Sequence, residues 1–309
     1  MAIEGVPTRK RLKRLLRYAA VRLALGLVAM IPLRLAARLG ELFGALAFRF
    51  ARRERARALE SIAFAFPEKS VADREVLARA CFRHLGRAAF ELGCIDQLDA
   101  SLSAWVEWPA ADRRVLEQAL ARRKGVVFVS AHVGNWELLA RRVSLAGFPC
   151  QTIARETTDP RLTALVERFR SASGLKSIWR GQDGAAKQML RALKAGEILG
   201  LLIDQDTKVQ SVFVPFFGRL ASTPRAAADL ALRTGAPIVL GFCQRGAAGT
   251  YRVTMREVAA PEGGDREGAA VALTGTLTAG IEAAIRAAPE QWVWMHRRWK
   301  TQAPRGRDS

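Results

Sequence analysis

The sequence predicts an α/β fold: a central sheet, mostly parallel or mixed, flanked by helices and preceded by a helical region rich in basic residues. Three observations carry that reading. From residue 125 onward, short apolar runs alternate with helical patterns, as in strand, helix, strand units. Before residue 123 the apolar periodicity is helical throughout. The chain has 309 residues, half apolar and a quarter charged, enough to bury a sizeable core.

The elements follow in order. Residues 1–60 form a basic helical region, with fourteen Lys or Arg against four Glu. A run at Arg9, Lys10, Arg11, Lys13, Arg14 and Arg17 precedes an apolar stretch from Tyr18 to Leu33, which Arg22 interrupts. Only the eleven residues from Leu23 to Leu33 are uncharged, against the roughly 20 that a membrane span needs. No small-residue cleavage site marks a signal peptide. With positive charge on both sides, the segment reads as an interfacial helix on an anionic membrane surface, its arginines snorkelling; a tilted single span is the alternative. Residues 61–123 are a helical lead-in. Ser70-Val71-Ala72-Asp73 resembles a capping box before a long amphipathic helix through Leu77, Cys81, His84, Leu85, Ala88 and Leu92. His84 shares the apolar side, so it belongs to the core or the helix surface.

Within the α/β part, residues 61–300 with the lead-in, the expected strands are 125–130, 150–154, 176–179, 198–203, 237–243 and 250–256. The expected helices are 135–147, 159–173, 183–195, 222–234 and 267–288. Val212 to Gly218 reads as an apolar strand and turn leading through Ser222 into a capped helix, either core or the wall of an acyl-chain groove. Pro289 to Lys300 interleaves aromatic and basic residues, and Trp292, Met295 or His296, and Trp299 would share the face of a docked amphipathic helix. Gly263-Gly264-Asp265 reads as a loop and 301–309 as a disordered tail.

Composition narrows the function. Forty-nine Lys and Arg against 29 Asp and Glu give a formal charge of +20, which implies an anionic partner: nucleic acid, anionic lipid, or a phosphorylated or acidic carrier. No recognisable nucleic-acid module is present. Cys81, Cys94, Cys150 and Cys243 lack C-x-x-C spacing and read as buried thiols in a reducing compartment. No His/Cys/Asp cluster has metal-ligand spacing. The absence of a Walker loop, a dinucleotide fingerprint and a G-x-S-x-G elbow disfavours nucleotide enzymes and α/β-hydrolases.

The chemistry-bearing segment is Ser130-Ala131-His132-Val133-Gly134-Asn135-Trp136-Glu137. The apolar strand delivers His132 to a turn, Asn135 is an N-cap, and Glu137 falls in the first helical turn. A carboxylate accepting the Nδ1–H of an imidazole fixes the tautomer and stabilises the imidazolium formed when Nε2 takes a proton. Glu137 is the expected partner. The bland alternative is a satisfied turn histidine and a Glu that complements the helix dipole. Without an evident Ser or Cys nucleophile, His132 would activate an acceptor directly. Arg155, Arg180 and Asp204-Gln205-Asp206 follow expected strands, and Arg170 lies on a helix between them. In a largely parallel sheet those strand ends gather on the usual ligand edge, where an arginine could stabilise an oxyanion or grip a phosphate.

Four segments together resemble the bacterial lipid A late acyltransferases, the lauroyl and myristoyl transferases of the H-x4-[DE] superfamily. They are Ser130 to Glu137, Asp204-Gln205, Val214-Pro215-Phe216-Phe217-Gly218 and Pro289 to Lys300, joined by Ala65-Phe66-Pro67-Glu68. The resemblance implies a membrane-associated enzyme at the cytoplasmic face of the bacterial inner membrane. It would move an acyl chain from acyl carrier protein to a hydroxyl of a lipid A precursor and need no cofactor or metal. It also implies a catalytic pair of His132 and Glu137, a site arginine at Arg170, and site-lining positions at Arg155, Arg180, Asp204 and Gln205. Two other readings remain at this stage: an acyl-CoA-dependent enzyme acting on another glycolipid, such as a phosphatidylinositol mannoside, and a non-catalytic basic protein that binds membrane or nucleic acid.

Overall fold

A computed structural model describes residues 8–261 and 265–303. Gly263, Gly264 and most of the expected tail lie outside the described residues. The chain begins with α1 (Thr8–Ala29), α2 (Leu33–Phe50), α3 (Arg52–Ala65) and α4 (Val71–Gly93), then α5 (Ile95–Ala100), α6 (Leu102–Trp105), β1 (Val106–Glu107) and α7 (Ala110–Ala121). The alternating part follows: β2 (Val126–Ser130), α8 (Trp136–Leu145), β3 (Cys150–Arg155), α9 (Pro160–Ser171), β4 (Lys176–Arg180), α10 (Ala185–Lys194) and β5 (Ile198–Leu202). Next come β6 (Ser211–Phe216), β7 (Arg219–Pro224), α11 (Ala226–Thr234), β8 (Ile238–Arg245), β9 (Tyr251–Val258) and α12 (Arg266–Ala287).

The strands order as β1-β9-β8-β2-β5-β3-β4. The pairings around β2, β5, β3 and β4 are parallel, and β9 runs antiparallel to β8. Helices bury both faces, as a parallel sheet requires. On one face Val127, Val129, Leu199, Leu201 and Ile203 pack with α11, α12 and Phe216. On the other, Val126, Phe128, Cys150 and Ile198 pack with Leu138, Leu139 and Val143 of α8. The parallel order brings the carboxyl ends of β2, β5, β3 and β4 to one edge, where His132, Asp204, Arg155 and Arg180 emerge.

The helix starts follow local chemistry. Ser70 Oγ accepts from the Asp73 N–H, Asn135 Oδ1 from the Leu138 N–H, and Asp159 Oδ1 from the Arg161 N–H. Helices α2 and α4 cross closely because glycine permits it. A Cβ at Gly44 would stand 2.1 Å from the Phe82 carbonyl oxygen. The outer side of α2 exposes Leu35, Leu42, Phe43, Leu46 and Phe50, with Phe43 also meeting the Phe90 ring of α4 at 5.7 Å. Among the described residues only α12 is long and apolar enough to cross a membrane, and that helix packs into the core through Leu273, Leu277, Ile281 and Ile285.

Two expectations need correction. Helix α11 begins at Ala226, not at 222, because residues 219–224 pair with β6 in an antiparallel hairpin. Residues 289–300 contain one short turn of 3-10 helix, Pro289–Gln291, rather than a docked amphipathic helix. The segment is a strap tied down at three side chains: Trp292 donates to Asp204, His296 accepts from the Asp206 N–H, and Arg298 donates to Ser222 and Thr223.

Candidate active site

Strand β2 ends at Ser130, and the next residues turn over the sheet edge. The turn is stitched to its surroundings. The Gly134 N–H donates to the Gln291 carbonyl (2.9 Å) and the Asn135 N–H to the Cys243 carbonyl (2.8 Å). Gly134 has φ +65°, and a Cβ there would lie 2.0 Å from the Cys243 oxygen, so both conformation and space demand glycine. Its carbonyl accepts from buried His84: Nε2 lies 3.1 Å from Gly134 O, while Arg245 Nη2 donates to Nδ1 at 3.1 Å. His84 is thus a buried neutral ring; burial, with the neighbouring arginines, pushes its pKa down to about 4. It belongs to a packed polar cluster in which Arg87 and Arg245 bind Glu41, and Arg87 and the Tyr251 hydroxyl bind Glu91.

The carboxylate on His132 is Asp204, the second residue beyond β5. His132 Nδ1 lies 2.8 Å from Asp204 Oδ1; the His132 backbone N–H donates to Oδ2 at 3.0 Å and Trp292 Nε1–H to the same oxygen at 2.8 Å. Strand register explains the arrangement. Ser130 stands opposite Leu202, so the chains leave the two strands side by side and the second residue beyond each meets the other. Burial raises the cost of charge on Asp204, but the imidazolium and three N–H donors outweigh it and hold its pKa down at about 2. Burial likewise disfavours the imidazolium of His132, and Asp204, with a longer-range contribution from Glu137, outweighs that and raises its pKa. The Trp136 ring packs edge-on against the imidazole at 4.9 Å. His132 Nε2 has no hydrogen-bond partner among the described residues.

Glu137 does not reach the ring as the spacing suggested. Its carboxylate is held by Arg170 of α9, with Nε to Oε2 at 3.1 Å and Nη2 to Oε1 at 2.5 Å. Helix α8 leads Glu137 towards α9, whereas Nδ1 faces the end of β5. Arg170 keeps a third nitrogen, Nη1, buried and without a partner. Arg170, Glu137, Trp136 and Ser130 border an apolar groove that runs between α8 and the sheet past Phe128, Gly200 and Thr152 to Val143, Cys150, Leu175 and Ile198. From Leu202 to Ile198 that is four residues along β5, roughly 13 Å.

The other expected positions separate. Gln205 lies between two buried aspartates and makes no side-chain hydrogen bond among the described residues. Arg155 and Arg180 end β3 and β4, two and three strands from β2. Sequence reasoning singled out the strap but missed its partners. Asp206 accepts from the Thr301 N–H (2.8 Å) and hydroxyl (3.0 Å), its own N–H donates to His296 Nε2 (3.0 Å), and Arg298 donates to the Ser222 carbonyl and Thr223 hydroxyl. The available signal was the Asp204-x-Asp206 alternation beside a Trp- and Arg-rich terminus, each short of partners on its own.

The carboxyl edge of the sheet thus holds a turn histidine bonded to a buried aspartate beside an apolar groove, and the comparisons with known proteins place the chain among acyltransferases. The chain belongs to the bacterial lipid A biosynthesis acyltransferase family, whose model matches residues 6–301. It is 30% identical over 302 residues to a lipid A biosynthesis lauroyltransferase of Escherichia coli strain K12, covering 92% of each chain. It is 28% identical over 267 residues to the lipid A biosynthesis palmitoleoyltransferase of the same strain, covering 85% of this chain and 84% of the relative. A lipid A biosynthesis acyltransferase of Haemophilus influenzae is 26% identical over 274 residues, covering 87% of this chain and 83% of the relative.

Proposed function

We propose that this acyltransferase moves a fatty acyl chain from acyl carrier protein thioester to a hydroxyl of a lipid A precursor at the cytoplasmic face of the bacterial inner membrane, with His132 as general base. The observation that carries the reading is the Asp204, His132 pair at the mouth of an apolar groove. With Asp204 on Nδ1–H, Nε2 of neutral His132 is the free base nitrogen. It removes the acceptor hydroxyl proton as the oxygen attacks the thioester carbonyl. The tetrahedral intermediate collapses, the C–S bond breaks, and the imidazolium returns the proton to the departing thiolate. Such help is worth about 10²–10⁴-fold.

Glu137 has a role other than ring partner. Its carboxylate occupies two nitrogens of Arg170 and so aims the guanidinium, leaving Nη1 for the developing oxyanion. The groove holds the acyl chain. Each methylene removed from water contributes about 0.8 kcal/mol, which favours chains that fill it. No metal or cofactor enters these steps. The excess of cations attracts the acidic carrier, and the exposed apolar face of α2, flanked by Arg34, Arg38 and Arg49, lies on the anionic leaflet.

The test is mass spectrometry of a phosphorylated tetra-acylated lipid A precursor incubated with purified enzyme and a panel of acyl carrier and CoA thioesters. One acyl increment, lost in His132→Ala, is expected with the carrier thioester. An increment with CoA alone corrects the donor, and no increment on any precursor overturns the reading.

A further inference from the structure

Strands β3 and β4 each end in an arginine, and their parallel register sets Arg155 directly opposite Arg180. Side chains opposed in this way stand on one face of the sheet, about 4.8 Å apart at the backbone, where like charges repel. A carboxylate would relieve the repulsion, yet among the described residues neither guanidinium has a hydrogen-bond, ion-pair or ring partner. Carboxylates are not lacking nearby. Glu156, next to Arg155 in the chain, accepts instead from Gln182 Nε2 at 2.7 Å, and exposed Asp183 bonds to neither arginine. Some neighbouring cations are paired: Lys176 at the start of β4 with Glu197, and on α9 Arg161 with Asp159 and Arg170 with Glu137. The opposed, unneutralised pair lies at the edge of the sheet that presents His132.

The surroundings leave room for a ligand. The chain leaves Arg180 through Gly181 and Gly184, at φ +92° and +83°, and a Cβ on either would meet nothing within 4 Å. Two adjacent guanidinium forks match the tetrahedral oxygens of a phosphate ester better than any neutral group. Counting strands from β2, the pair sits about 10–14 Å to one side of the strand that delivers His132. One substrate can span that distance, with its reacting group at His132 and a phosphate at the arginines.

Resting on the function proposed above, we infer that Arg155 and Arg180 form a phosphate subsite that anchors a substrate of the acyl transfer. The phosphate belongs either to the sugar headgroup of the acceptor or to the phosphodiester of the donor's prosthetic arm. The test measures kcat/KM for the full chain and for R155Q, R180Q, the double variant and R155K. The acceptors are phosphorylated or enzymatically dephosphorylated precursor; the donors are acyl carrier thioester or phosphate-free acyl-pantetheine.

The double variant should lose about 100-fold in kcat/KM, carried by KM, with R155K intermediate because it keeps charge but not the fork. Removing the engaged phosphate should cost the wild type the same factor and the double variant nothing. Whichever substrate shows this non-additivity is the source. Equal losses with and without each phosphate, or no loss, overturn the subsite. Should the wild type transfer nothing to any acceptor, the acyl-transfer reading fails separately. The subsite is then decided by inorganic pyrophosphate at constant ionic strength: a rise in Tm in the wild type that is absent from the double variant supports it, and no difference overturns it.

Discussion

Asp204→Asn separates ring orientation from every other property of the site. Asp204 now accepts three N–H bonds, from His132 Nδ1, the His132 backbone and Trp292 Nε1. Asparagine keeps the shape but has one accepting oxygen. That oxygen satisfies both donors now on Oδ2, the backbone and Trp292, which turns the asparagine NH₂ towards Nδ1. Nδ1 must then accept, so the ring proton moves to Nε2 and the base nitrogen is blocked. A tautomer error of this kind costs about 10⁴-fold in kcat, or roughly 5 kcal/mol at about 1.36 kcal/mol per decade. The pH profile supplies a second reading. In the wild type Asp204 raises the His132 pKa, so activity should climb with pH through a midpoint above about 6.5. In the variant burial dominates and the midpoint moves acid-ward. The assay is acyl transfer against pH at saturating substrates, beside a melting curve to establish that the variant folds. A folded Asp204→Asn enzyme within threefold of wild-type kcat, with its midpoint unmoved, would refute the assignment of Asp204 as the group that orients the base.

Arg170→Lys should lower kcat about 10²–10³-fold with little change in KM, because lysine cannot span Glu137 and still offer a free donor; steady-state kinetics decide it. Stability should fall from pH 6.5 to 4 by about 3 kcal/mol through His84. Its folded pKa, about 4, is below the unfolded value, so the unfolded chain binds the proton first as pH drops. Denaturant unfolding at each pH should show this slope removed in His84→Gln. Filling the far end of the groove with Ile198→Phe should shift donor preference to shorter chains, by about 15-fold for two methylenes, read by donor competition. Replacing Phe43 and Leu46 on the exposed face of α2 with serine should weaken vesicle binding roughly 100-fold, measured by flotation; undiminished binding would place the contact elsewhere.

Much of this architecture was legible because local patterns and tertiary structure agree. The expected strand at 125–130 forms as β2, Asn135 caps α8 as its side chain suggests, and Ser70 caps α4. Legibility failed where a residue's partner lies far along the chain. The H-x4-E spacing points to Glu137 because a helical turn brings it near His132, but the oxygen that meets Nδ1 comes from 72 residues downstream and depends on the register of β2 with β5. The strap misled for a related reason. Trp292 and Trp299 fit a helical face, yet the indole of Trp292 is satisfied only by Asp204 and the guanidinium of Arg298 only by residues at the end of the β6, β7 hairpin. Periodicity shows which side chains need burial, not which distant group supplies the hydrogen bond.

The strap also explains why the site depends on the chain's far end. Asp204 Oδ2 accepts from β2's turn and from Trp292 at once, and Gly134 donates to the Gln291 carbonyl. The next aspartate, Asp206, is bound by His296, through its own N–H, and by Thr301. Three segments far apart in sequence, 130–135, 204–206 and 291–301, therefore form one hydrogen-bonded unit around the imidazole. Removing the indole by Trp292→Phe keeps the aromatic bulk but deletes one donor to Asp204, a change of about 1.5–3 kcal/mol for a bond to a charged acceptor. With one stabilising bond gone, Asp204 becomes more basic, so it should draw the Nδ1 proton more strongly and move the acid limb of the pH profile to higher pH. Because the ring still receives Nδ1 support, the loss in kcat should be tens of fold, well short of the effect of Asp204→Asn. That ordering follows only if the strap acts on catalysis through Asp204. A Trp292→Phe enzyme as impaired as Asp204→Asn would instead mean that the strap positions the substrate itself.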